Sequence, residues 1–313
     1  MKAWQQIIRR IAQNPAQPWA LATLVQIEGS TYRKPGARCL INSNGATLGV
    51  LSGGCLEEEI GRHGQRVLAD GSPVLLSFDT RLLYGCDGRL KILIEPIPAA
   101  QNGNFITEID RLLRQREICR IRVCFEGDSL GSELVPADFL LAEAPGVLID
   151  IIAPPIRLLL FGTGPEIKPL TELATTLGWV VEHFRHPSEL DEDFRTDAQT
   201  AALVMNHNFG RDLLALDRLV PLKLRYVGLL GPRKRHAELL ARLSEHRPYF
   251  DMSARNLFAP AGLDIGSEAP EEIALSITSE VAAVLANRRG GFLRERKIDI
   301  HETNFVAARR DAA

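Results

Sequence analysis

The stretch Leu158-Leu159-Leu160-Phe161-Gly162-Thr163-Gly164-Pro165 decides the fold. Four apolar residues in a row, followed by a glycine turn, predict a short strand buried on both faces. Gly162 and Gly164 then turn the chain. Pro165 suits the first turn of a helix, predicted over 166–177. Strand, glycine turn and helix is how a parallel α/β unit begins. Downstream the alternation continues, with strand-like runs at 179–184, 201–205 and 226–230 and helical patterns at 211–220, 233–243 and 270–288. The expectation is a Rossmann-like, doubly wound parallel sheet domain over 156–291.

Working back from that stretch, Pro154-Pro155 marks a linker. Before it the pattern differs. Trp4, Ile7, Ile8 and Ile11 recur at helical spacing, which predicts a helix over 2–13. Strands are predicted at 19–28, 37–42 and 46–51, with Asn44-Gly45 as a hairpin signal between the last two. A helix over 55–69 is closed by Asp70-Gly71. Strands at 74–78 and 90–94, a helix over 104–116 and strands at 118–125 and 146–152 complete a small N-terminal α+β domain over 1–150. A charged tail follows at 292–313. The expected class is α/β.

Composition removes several functions. The 313 residues are 45% hydrophobic and 24% charged, as in an ordinary globular protein with a full core. A net charge of −2 argues against a general nucleic-acid binder. No long uncharged apolar run predicts a membrane span, and the N-terminus lacks the apolar core of a signal peptide. Five cysteines at irregular spacings form no disulfide framework, so a reducing cytoplasm is the expected home.

The chemistry-bearing stretch of the first half is Leu51-Ser52-Gly53-Gly54-Cys55-Leu56-Glu57. Gly53 and Gly54 let the backbone approach a ligand closely. A helix start just beyond them offers N–H groups to an anion, and a thiol there has more thiolate character. A buried core cysteine is the equally weighted alternative. Cys86, in Gly85-Cys86-Asp87-Gly88, can join Cys55 in a two-thiolate site, whose soft sulfurs suit a transition metal. Cys39, Cys119 and Cys124 read as packing or surface residues. Arg33, Lys34 and Arg38 lie in a polar turn-rich loop that can hold a phosphate, or simply face solvent.

In the second half, Gly162 and Gly164 stand where a nucleotide phosphate approaches in a dinucleotide fold. The third glycine position holds Ile167, and Arg185 stands where a ribose-binding acid is expected. Ordinary NAD(P)-dependent hydride transfer is therefore disfavoured. Phosphate binding and a turn needed only by the fold both stay open. His207 follows the strand 201–205 and is a ligand contact, an acid/base or a loop-fixing residue. Arg233 begins a basic helix start, Arg233-Lys234-Arg235-His236, suited to an anion.

These segments together resemble the XdhC/CoxI family of accessory proteins for molybdenum hydroxylases. The resemblance is carried by Gly29-Ser30, Arg33, Pro35-Gly36-Ala37, Gly49 to Glu57 and Gly85-Cys86 in the first half. In the second half it is carried by Leu160 to Gly164, Tyr226 to Gly231, Ala259 to Gly266 and Pro270 to Ala274. The chain departs from the family's usual pattern at Asp87, Pro165-Glu166, Arg185 and Asn206.

The resemblance implies a cofactor-binding maturation factor rather than a catalyst. Such a protein binds the molybdopterin form of the molybdenum cofactor, supports its sulfuration by a cysteine desulfurase and delivers it to a xanthine dehydrogenase-type enzyme. It also implies a homodimer. Cofactor contacts fall on Gly53, Gly54, Cys55, Cys86, Arg33, Gly162, Gly164, His207 and Arg233, with Cys55 and Cys86 nearest the metal. Two other functions are weighed against it: an NAD(P)-dependent oxidoreductase, and a scaffold that docks a desulfurase onto the client enzyme.

Overall fold

The computed structural model describes residues 1–29, 33–52, 54, 56–79, 88–99, 104–139, 144–246 and 256–297. The chain divides into two compact units, Met1–Pro154 and Pro155–Ala313.

In the first unit, α1 (Lys2–Gln13) precedes β1 (Trp19–Gly29), β2 (Arg38–Ile41) and β3 (Thr47–Leu48). Then come α2 (Glu57–Asp70), β4 (Val74–Asp79), β5 (Gly88–Ile97), α3 (Phe105–Arg114), β6 (Cys119–Cys124), β7 (Gly131–Val135) and β8 (Val147–Ile152). An antiparallel sheet runs in the order β3-β2-β1-β5-β4, and a smaller one runs β7-β6-β8. The strand β1 is buried on both faces along most of its length, because its side chains alternate between two cores. Ala20, Ala22 and Leu24 join Cys39, Ile92 and Ile94 against Leu56, Ile60 and Val67 of the α2 region. Leu21 and Val25 join Leu40 and Leu93 against Trp4 and Ile7 of α1, Ile106 and Ile109 of α3, and Ile121 of β6.

The run predicted at 46–51 is a strand only over Thr47–Leu48. Gly49 ends it with φ of +112°, at a point where any Cβ would lie 2.6 Å from the Arg38 carbonyl oxygen. Arg38, read from sequence as part of a phosphate-holding loop, is instead 2% exposed and pairs with Asp150 of β8. Its guanidinium lies 4.6 Å from the Trp4 ring centroid.

The second unit contains β9 (Arg157–Gly162), α4 (Ile167–Thr176), β10 (Val180–Phe184), β11 (Thr200–Met205) and α5 (Phe209–Leu219). It continues with β12 (Tyr226–Leu229), α6 (Arg233–His246), β13 (Leu257–Phe258) and α7 (Pro270–Leu285). These strands form one parallel sheet in the order β10-β9-β11-β12-β13. Leu158 and Leu160 face one core with Leu170 of α4 and Ile277 and Val281 of α7. Leu159 and Phe161 face the other with Leu216 of α5 and Leu239 of α6. Helices thus cover both faces, which explains the uninterrupted apolar run of β9. The chain steps from β9 to β10 on one side and then returns to β11 on the other. That reversal places a crevice at the carboxyl ends of β9 and β11, where ligands bind in such sheets. No helix among the described residues is long and apolar enough to cross a membrane.

Candidate functional site

In the first unit, one carboxylate organises the glycine-cysteine loop. Glu57 opens α2, and its Oε1 accepts from the backbone N–H groups of Leu51 at 2.9 Å and Ser52 at 3.0 Å. Its Oε2 accepts from Ser52 Oγ at 2.8 Å and the Leu56 N–H at 3.2 Å. Ser52 Oγ in turn accepts from the Leu56 N–H at 2.9 Å. The expectation that N–H groups just beyond the glycines are free for an anion is corrected for Leu56, whose N–H already donates to Ser52 Oγ and Glu57 Oε2. The helix starts at Glu57 rather than at residue 55. Both flanks of the loop are thus pinned to α2. Between them, Gly54 has φ of +113° and, among the described residues, nothing within 4 Å of where a Cβ would stand. Gly53, Cys55 and Cys86 lie outside the described residues. Arg33 is half-buried just before β2.

Burial pushes the Glu57 carboxyl upward, but hydrogen bonds from Ser52 and Leu51 outweigh it and hold its pKa below the ordinary 4.5. The anchorage is therefore fully present above that value and is lost as pH falls through the lower one. The expected NMR result is that the amide shifts of Leu51, Ser52 and Leu56 move together in one step below pH 4.5. Glu57→Gln abolishes that step and costs about 1–2 kcal/mol of stability. Amide shifts that stay constant in the wild type would contradict this anchorage.

The packing cysteines behave as read. Cys39 and Cys119 are buried thiols. Burial pushes their pKa values up to about 12 and about 11. Neither is a thiolate near neutral pH.

In the second unit, the sheet's carboxyl end brings Gly162, Gly164 and His207 together. Gly162 has φ of +146°, and a Cβ there would lie 2.3 Å from the Met205 carbonyl oxygen on the adjacent strand. Its own carbonyl accepts from His183 Nε2 at 2.6 Å. This glycine is required by the close approach of β9 and β11. A Cβ on Gly164 would lie 2.4 Å from Glu166 Oε2 and 2.9 Å from His207 Nε2. Glu166 is buried, and its Oε2 lies 3.6 Å from His207 Nε2. His207 itself sits on left-handed backbone, with φ of +52°.

Next to this pair, Asp212 of α5 is 0% exposed. Its Oδ1 accepts from the backbone N–H of Asn206 at 3.0 Å and from Asn206 Nδ2 at 3.1 Å. Its Oδ2 pairs with Arg235. Arg233, the first residue of α6, is exposed at the same end of the sheet. Glu57, Glu166 and Asp212 are the residues that sequence reasoning missed. Each is an acid in or just before the first turn of a helix, where a carboxylate is also favoured by the helix dipole. That position was the available signal.

The comparisons with known proteins match this division. Residues 158–281 match the model of the XdhC Rossmann domain, and residues 12–79 match the model of the XdhC and CoxI family. The chain is 28% identical over 312 residues to a protein of Bacillus subtilis (strain 168) described as a probable xanthine dehydrogenase subunit, covering 83% of this chain and 91% of that one. It is 26% identical over 275 residues to "Molybdenum cofactor insertion chaperone PaoD" of Escherichia coli (strain K12), covering 84% and 82%. A crystal structure described as a xanthine dehydrogenase from Bacillus halodurans superposes with a TM-score of 0.76 at 24% identity, covering 91% of this chain and 96% of that one, and has the same fold.

Proposed function

The chain belongs to the XdhC and CoxI family, and from that premise we propose that it is an accessory chaperone for a molybdenum hydroxylase of the xanthine dehydrogenase type. It binds the molybdopterin form of the molybdenum cofactor as cargo, shelters it while a cysteine desulfurase exchanges an oxo ligand for a sulfido one, and hands it to the client. It works in the cytoplasm as a homodimer and turns over no substrate of its own. The role named for the Escherichia coli relative, cofactor insertion, supports this reading.

The observation that carries the proposal is the loop pinned at both ends by Glu57, with Gly54 open between the pinned flanks. Fixed flanks on either side of Gly54, with the soft thiol of Cys55 next in sequence, suit a metal–dithiolene cargo better than they suit a reacting substrate. Arg33 is assigned to the cargo's phosphate. Cys86 is assigned beside Cys55. The NAD(P)-dependent alternative is disfavoured by Glu166, whose buried carboxylate stands against Gly164 where a pyrophosphate would have to approach.

The test is reconstitution. A cofactor-free xanthine dehydrogenase-type hydroxylase is mixed with the molybdenum cofactor, with and without this chain. The proposal expects the chain to speed recovery of client activity, and Cys55→Ala to remove that gain. Equal recovery without the chain overturns it. Recovery that needs the chain but is indifferent to Cys55 favours the scaffold reading.

A further inference from the structure

A buried polar atom without a hydrogen-bond partner costs about 1–3 kcal/mol, so each such atom in a native fold calls for an explanation. Among the described residues of the second unit, these atoms include Glu166 Oε2, Asn206 Oδ1 and Arg235 Nε. All three stand beyond the carboxyl ends of three neighbouring strands: Glu166 after β9, Asn206 after β11, and Arg235 after β12. Glu166 is 7% exposed. A fold needs no such concentration of unsatisfied groups at one edge, but a polar ligand does.

The groups are also sorted by chemistry. The acceptors, Glu166 and Asn206, lie over β9 and β11. The donors and cations, Arg235 and Arg233 with the amino end of α6, lie over β12. His236 borders the Gly231 turn there, its Nε2 3.5 Å from where a Cβ on Gly231 would stand. A phosphate is repelled from the Gly162–Gly164 turn by Glu166 and attracted to the start of α6.

The geometry points to a binding site, separate from the cargo contacts on the first unit, for a phosphorylated heterocycle whose ring presents paired N–H and amino donors, as guanine does. The donor edge meets Glu166 and Asn206, and the phosphate meets Arg233, Arg235 and the α6 amino end. A carboxylate accepts such an edge through both oxygens. The polarity is the reverse of a dinucleotide fold, in which the phosphate sits on the first glycine turn. His207, on left-handed backbone, covers Glu166 and must swing aside for the ring to enter. This site does not rest on the function proposed above, whose cargo contacts lie on the first unit.

The experiment measures binding of GMP, AMP, inorganic phosphate and the molybdopterin-form cofactor to the full chain. GMP carries the donor edge and AMP does not. The expected result is a preference for GMP over AMP of about 10- to 100-fold, lost in Glu166→Gln, with phosphate binding unchanged. Cofactor retention, which is assigned to the first unit, should be unchanged in Glu166→Gln. Arg233→Ala, an exposed change that leaves the fold intact, should weaken both nucleotides and phosphate without altering the GMP-to-AMP ratio. Equal binding of GMP and AMP overturns the site while leaving the chaperone reading in place. Failure of the wild type to retain cofactor sinks the chaperone reading instead, and the nucleotide comparison still decides the site.

Discussion

Asp212→Ala is expected to destabilise the second unit by about 3–5 kcal/mol, the usual cost of leaving half of a buried ion pair behind. Asp212 is fully buried, holds the backbone and side chain of Asn206, and pairs with Arg235. It therefore joins the end of β11 to the starts of α5 and α6. Its loss leaves Arg235, whose side chain is 24% exposed, without its carboxylate and frees the turn that carries His207. Hydrogen exchange read by mass spectrometry should show lost protection in peptides from β11, α5 and α6. Peptides from β1 and β5, in the other unit, should be unchanged. Asp212→Asn keeps an acceptor and should cost less. Protection equal to the wild type in Asp212→Ala would show that the pair contributes nothing to holding the sheet's carboxyl end.

Asp150→Ala should have an effect of similar size in the first unit. Arg38 and Asp150 have side chains 1% and 23% exposed. Without Asp150, a charged guanidinium remains inside the fold with the Gly36 carbonyl, at 2.9 Å, the Trp4 face and the field of the buried Glu95 carboxyl. The expected loss is about 3–4 kcal/mol, seen as a fall in Tm on the order of 10 °C. Arg38→Met combined with Asp150→Leu removes both charges and should recover most of that loss. If the single variant melts like the wild type, or the double variant melts lower than the single, the pair is not what joins β2 to β8.

The architecture was largely legible because burial writes itself into periodicity. Trp4, Ile7 and Ile11 marked α1, and the apolar run Leu158–Phe161 marked a strand covered on both faces. Two strands were not legible. Gly131–Val135 is a half-buried edge strand with Ser132 and Glu133 in it, and its pairing to β6 is decided by tertiary contact. Leu257–Phe258 is too short to carry a period. The candidate sites were legible as glycines and cations but not as acids. Glu57 reaches back across its own loop, Glu166 lies under His207 of another strand's end, and Asp212 meets Arg235 of another helix. Such roles depend on which chain ends the sheet brings together. Arg38 was misread for the same reason: its partner lies on β8, far along the chain.

The central claim is that this chain holds a molybdenum cofactor through its first unit. The most direct measurement is gel filtration of the purified chain after incubation with the molybdopterin-form cofactor, with molybdenum and pterin quantified across the protein peak. The account predicts that both co-elute with the wild type and that Cys55→Ala removes them while eluting at the same volume. A wild-type peak free of molybdenum and pterin would contradict it.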